Sequence, residues 1–167
     1  MKTLIIIAVL FLSAGISMAQ SVKPKPIENK FMSMCVGTWI SEPYIYENEK
    51  WVDHMSIKWS LNNQFLNIYI VSTSESGNDY SALKLLTVDK DGKAKSWNFD
   101  DFGIEAVGTE EGKIVNDKLT YSGKSSKYNY TTNVYFEEEN RLIAESISSP
   151  LNDAQNKMTV KTIFNRK

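Results

Sequence analysis

The strongest constraint on this chain is a change of period. From Thr38 to Asn165 apolar and polar residues alternate with a period of two over short segments, with almost no repeat at helical spacing. The alternation predicts strands near Thr38 to Tyr46, Lys50 to Leu61, Gln64 to Ser72, Tyr80 to Asp89, Ala94 to Asp101, Ile104 to Glu110, Lys113 to Gly123, Lys127 to Glu137, Arg141 to Ser148 and Lys157 to Asn165. Turn-forming residues separate them: Glu47-Asn48-Glu49, Leu61-Asn62-Asn63, Ser76-Gly77-Asn78, Asp89-Lys90-Asp91-Gly92, Glu111-Gly112, Asn116-Asp117, Ser149-Pro150 and Asn152-Asp153. Every connection is short, so the expected chain is an up-and-down meander of about ten antiparallel strands. A meander of that length leaves two edges exposed, and closure removes both. The expected fold is therefore an all-β barrel, with an open sheet or a sandwich as the alternative.

The residues ahead of the barrel divide in three. Lys2, the apolar run Leu4 to Leu12 and the small residues Ser17 and Ala19 have the form of a cleavable signal peptide, 1–19. That predicts a secreted or periplasmic protein. Cys35 lies too far from the apolar run to be lipidated there. Residues 20–26, with Pro24 and Pro26, read as an extended leader, and 27–167 as one barrel domain. Ile27, Phe31, Met34 and Cys35 recur at helical spacing, predicting a short helix from Ile27 to Val36 that ends at Gly37 and lids one end.

Composition narrows the chemistry. Nineteen Lys and Arg against twenty Asp and Glu give a formal charge of −1, without the basic stripe that phosphate binding needs, so no nucleic-acid partner is expected. Glu137-Glu138-Glu139-Asn140 reads as a solvated hairpin turn. One histidine and one cysteine fall short of a zinc site, and Asp89-Lys90-Asp91-Gly92 lacks the later acid of a calcium loop, so no metal or cofactor is expected. A catalytic triad would have to use His54, which shares the outward parity of Lys58 and has no nucleophile elbow beside it. Cys35 reads as a small apolar residue.

Parity then assigns an interior. On the second predicted strand Trp51, Asp53, Met55, Ile57, Trp59 and Leu61 share a face, and the carboxylate among them needs a partner, water or a place near the rim. Tyr128, Tyr130, Thr132, Val134 and Phe136 form the corresponding stripe near the C-terminal end. On the third strand both faces are apolar, with Tyr69 on one of them. The resulting candidate site is an aromatic lumen lined by Trp59, Tyr69, Trp97 and Tyr130, with Asp53 or Asp101 as polar anchor. It would take a small hydrophobic or amphipathic molecule. Two other readings fit the same residues. One is an enzyme using Asp101 with Asp53 or Glu105 as acid and base, set against Asp100 or Asp101 simply capping the turn into Gly103. The other is a barrel whose aromatic side chains fill the bore and which serves as an envelope interaction protein.

Gly37-Thr38-Trp39, placed after a short helical lead and before the meander, resembles the start of lipocalin-like (calycin) barrels. Trp97-Asn98-Phe99-Asp100-Asp101-Phe102-Gly103 is similar to a W-x-x-D-x-x-G segment of secreted bacterial lipocalin-like families of unknown function. The resemblance implies that Gly37 permits close packing at the strand start and that Trp39 closes the barrel floor. It also implies a basic residue of the last strand over that ring, a role that falls to Arg166. The chain further resembles nitrobindin barrels, which open with a similar Gly-Thr-Trp. Their haem histidine lies near the C-terminal end, where this chain has none, so haem binding does not carry over.

Overall fold

The computed structural model describes residues 23–103, 107–125 and 127–167; the predicted signal peptide lies outside them. A six-residue helix α1 (Lys30–Cys35) is followed by β1 (Gly37–Ser41), β2 (Tyr44–Tyr46), β3 (Glu49–Ser60), β4 (Phe65–Ser74), β5 (Asp79–Val88) and β6 (Lys93–Asp100). The chain continues through β7 (Gly108–Val115), β8 (Lys118–Lys124), β9 (Tyr128–Glu138), β10 (Arg141–Pro150) and β11 (Met158–Arg166). Each strand from β3 to β11 pairs antiparallel with its sequence neighbour. Closure comes from β1, which pairs with β11 through Trp39↔Arg166 and with β3 through Gly37↔Ile57. The result is a closed ten-stranded antiparallel barrel with β2 as an extra strand, as the meander argument expects.

Three boundaries differ from expectation, each for a local reason. The first predicted strand breaks at Glu42-Pro43, where proline removes a ladder donor, and β2 then continues along β3 through Tyr44↔Trp51. The helix begins only at Lys30, because the Asn29 side chain accepts the Met32 amide at 3.0 Å and caps it there. Glu111-Gly112 is not a turn but the middle of β7. The reversal falls at Asn116-Asp117, whose φ angles of 51° and 56° suit a two-residue hairpin and split the predicted strand Lys113 to Gly123. Residues 104–106, the start of another predicted strand, lie outside the described set.

One end of the barrel is sealed. The segment ahead of α1 crosses the tip of the β3–β4 turn, held by Ile27 N to Asn63 O at 3.0 Å and Gln64 Nε2 to Lys25 O at 2.7 Å, and Lys30 at the start of α1 pairs with Asp117 of the β7–β8 turn at 2.6 Å. Phe31, Met32 and Cys35 then project into the bore. They pack with Trp39, Ile57, Leu66, Leu86, Val88, Leu119, Leu142 and Phe164 as a buried floor. Trp39 is fully buried, which at about 200 Å² of largely apolar surface contributes roughly 5 kcal/mol before entropy is counted.

Gly37 and Arg166 fix that floor. The indole nitrogen of Trp39 donates to Cys35 O at 2.8 Å. The Arg166 guanidinium lies 4.2 Å from the Trp39 ring centroid and donates to Val36 O at 2.7 Å and Met34 O at 2.6 Å. These bonds satisfy carbonyls that the helix end leaves open. Gly37 has φ of 145°, and a Cβ there would sit 2.6 Å from the guanidinium, so only glycine lets the arginine reach. Burial pushes the Cys35 thiol up to about 12, with Arg166 pulling weakly the other way, so it is a neutral core group.

Candidate functional site

Above the floor the lumen changes character. The inward positions of β4, β5, β9 and β10 at mid-height, Ile68, Ile70, Ala82, Val134 and Ala144, are each partly exposed although they face the axis. Side chains that filled the bore would shield these positions as the floor residues are shielded. In the same and higher rows Met55, Asp53, Ser72, Thr132 and Thr162 are buried, so the upper bore is filled on some strands and open to solvent on others.

A polar network stands in this space. Lys84 of β5, Ser96 of β6, Glu110 of β7, Tyr121 of β8 and Tyr130 of β9 come from five neighbouring strands at inward positions. Lys84 Nζ is 2.9 Å from Glu110 Oε2 and donates to the Tyr121 hydroxyl at 3.1 Å, with the Tyr121 ring centroid 4.2 Å away. Glu110 also accepts from Ser96 Oγ and, at 2.9 Å, from the Tyr130 hydroxyl. Gly123, opposite Glu110 in the ladder, makes the reach possible, since a Cβ there would land on the Tyr130 hydroxyl.

Both ions are held in their charged forms. Burial works to raise the Glu110 carboxyl, but the Lys84 charge and the hydroxyls of Ser96 and Tyr130 outweigh it and keep it below the ordinary range. Burial likewise works to lower Lys84, and Tyr121 and Glu110 outweigh that and hold it up. Tyr130 is raised, by burial first and then by the adjacent carboxylate, so it stays a phenol that donates.

Nearer the open end lies a second group. Asp53, 8% exposed, accepts from the Tyr44 hydroxyl at 2.9 Å, while its own amide donates to Ser41 Oγ at 2.8 Å. Burial raises its carboxyl above the usual range despite the hydroxyls of Ser72 and Tyr44. Asp100 faces inward from β6 and accepts from the Tyr80 hydroxyl at 3.3 Å and the Phe102 amide at 3.0 Å. Tyr44 and Trp51 are cross-strand partners, and Asp53, Ser72 and Tyr80 form one row across β3, β4 and β5.

The sequence-derived site is therefore only partly assembled. Asp53 and Tyr130 face the accessible lumen. Trp59 faces the axis but pairs with Leu66 against the floor, well below them. Tyr69 and Trp97 lie on the outer face and not in the lumen: the register Tyr69↔Leu83↔Phe99 and Leu85↔Trp97 puts them in an exterior row, with Tyr69 49% exposed and Trp97 between Phe65 and Lys95. Asp101 is exposed and bonds the Ser81 amide at 2.8 Å, stapling β6 to β5 on the outside, so the acid–base reading loses its central residue. Asp100 is the inward member of the pair, and its bond to the Phe102 amide is the turn cap that sequence suggested.

The error has one source. β6 buries small and polar residues, Ala94 and Ser96, and turns Trp97 and Phe99 outward, which reverses the assumption that aromatics mark the interior. Lys84 and Glu110 were missed for the same reason, though Lys84 shares parity with Leu86, and Glu110 with its glycine neighbours Gly108 and Gly112. Among the described residues no group of three or more His, Cys, Asp or Glu is placed to hold a metal ion.

The chain is thus a closed ten-stranded antiparallel barrel with a helix-plugged floor and polar groups in its upper bore. No protein-family model matches the chain, and no curated protein matches it in sequence. Solved structures do match it in shape. An S-type phycobiliprotein lyase, CPES from Guillardia theta, superimposes with a TM-score of 0.59 at 12% identity over 82% of this chain and 90% of that one. EF1p2-mFAP2b bound to DFHBI gives a TM-score of 0.47 at 7% identity over 81% and 95%. These likenesses concern the fold.

Proposed function

We propose that this chain is an exported barrel that binds a small amphipathic molecule in its upper lumen. The carrying observation is a polar network drawn from five strands that faces the bore above a sealed floor, beside inward apolar residues that are not fully packed over. Apolar walls such as Ile68, Ile70, Val134 and Ala144 supply burial for a hydrophobic body, and the Lys84, Glu110 and Tyr130 group fixes its orientation. The likeness in shape to an S-type phycobiliprotein lyase supports the barrel fold that such a lumen requires.

The test fills the vessel. Native mass spectrometry of the protein purified from its own cells, compared with the bore-filling variants Ala82→Trp and Ala144→Phe, should show added mass on the wild type alone. Absence of any added mass, or its persistence in both variants, refutes the reading. N-terminal sequencing of the mature protein should begin at Gln20, and a retained Met1 refutes export by signal cleavage.

A further inference from the structure

The charges that face the axis do not balance at the mouth. Lys84 is engaged by Glu110, and Arg166 is engaged at the floor by two helix carbonyls and the Trp39 ring. Asp53 and Asp100 remain, and among the described residues neither has a basic partner within salt-bridge distance. Each accepts a tyrosine hydroxyl, Tyr44 on Asp53 and Tyr80 on Asp100, beside the Ser72 hydroxyl on Asp53 and the Phe102 amide on Asp100.

The same side of the rim is negative outside the lumen too. The β2–β3 and β4–β5 connections carry Glu47 and Glu75, Glu49 starts β3 and Asp79 starts β5, against the exposed Lys50. Trp51, between Tyr44 and Ser74 in the ladder, adds its ring to the same face as Tyr44 and Asp53. Rings beside carboxylates that lack a basic partner create a potential that attracts cations, and aromatic faces hold alkylammonium groups.

We propose that the mouth takes an organic cation, a protonated amine or quaternary ammonium, between Tyr44, Trp51 and Tyr80 with Asp53 and Asp100 as counter-charges. The apolar body of the ligand runs down toward Ile70 and Ala144. The proposal rests on the reading of the lumen as a binding site and gives that site a charge preference.

Calorimetry of the full chain with three sub-micellar probes of equal chain length, decyltrimethylammonium, decanol and decanoate, tests it. The cationic probe should bind at least tenfold tighter than the other two. In Asp53→Asn/Asp100→Asn that preference should fall below threefold, while Tyr80→Phe, which keeps the ring, should retain it. Near-UV circular dichroism checks that each variant holds its packing. Equal binding of all three probes, or tighter binding of decanoate, overturns the cation proposal and leaves the lumen reading standing. Failure of all three to bind, with Ala144→Phe indistinguishable from wild type, overturns both.

Discussion

Replacing Glu110 by Gln tests whether the interior network is an ion pair in a low-dielectric site or a chance contact. The substitution keeps shape and the Tyr130 and Ser96 contacts but removes the charge facing Lys84, whose side chain is only 18% exposed. Breaking a buried pair from one side costs about 3–5 kcal/mol, because the remaining ion is left uncompensated. The partial exposure of Lys84 and its bond to Tyr121 place the expected loss near the lower end, about 3 kcal/mol, a large part of the roughly 5–15 kcal/mol a domain has. Glu110→Gln/Lys84→Met removes the orphaned ammonium and should return to within about 1 kcal/mol of wild type, a coupling of roughly 2 kcal/mol. Urea unfolding with unchanged m-values measures both. The pH dependence supplies a second check. A carboxylate held below its unfolded value contributes stability that is present above that value, near pH 4.3, and lost as pH falls through the folded one. The gap between wild type and Glu110→Gln should therefore close in acid. A loss under about 1 kcal/mol at neutral pH, or strict additivity of the two substitutions, would refute the argument.

Arg166→Met should destabilise the floor by about 3 kcal/mol, the combined loss of the ring contact and two charge-assisted bonds to helix carbonyls, and Arg166→Lys should recover less than half in the same urea assay. Gly123→Ala should cost about 1–2 kcal/mol by pushing the Tyr130 ring and hydroxyl away from Glu110, and most of that penalty should vanish in a Tyr130→Ala background but not in Tyr130→Phe, which keeps the clashing ring carbon. Asp53 has a raised carboxyl, so its ionisation opposes folding as pH climbs from the unfolded carboxylate value through the folded one. Asp53→Asn should thus melt higher than wild type at neutral pH and equal it in acid; a lower melting temperature at pH 7 would contradict the burial argument.

What sequence made legible was whatever depends on period and turn chemistry. Closure, the short helix and the Gly37, Trp39 and Arg166 floor follow from alternation, positive-φ turn residues and one resemblance, and the coordinates place all three residues in contact. Parity along a single strand also located Asp53 and Tyr130. What failed was the step from parity to face on β4, where both sides carry apolar residues, and on β6, where the aromatic side is the outer one; alternation alone cannot choose there. Only the ladder decides there: Tyr69↔Leu83↔Phe99 can lie outside because Ile70↔Ala82↔Asp100 lies inside. The Lys84 and Glu110 pair was illegible for a related reason. Residues 26 apart in the chain meet because β5, β6 and β7 are adjacent in register, and no local pattern encodes that meeting.

The two ends of the barrel are built for different purposes, and the physical chemistry of each explains the other. At the floor every strong donor or cation has a partner: Trp39 on Cys35, Arg166 on Met34 and Val36, and the thiol of Cys35 kept neutral by burial. Such a floor stabilises the ring well enough to tolerate strain elsewhere. At the mouth the rule is broken, since Asp53 is buried without a base and Trp51 holds an indole nitrogen without an acceptor. Local inconsistencies of this kind reduce stability and are expected where a site is prepared for something that arrives later. The closed end thus permits the open end to keep a carboxylate that the fold alone would be better without, and a bound cation is the species that would neutralise it.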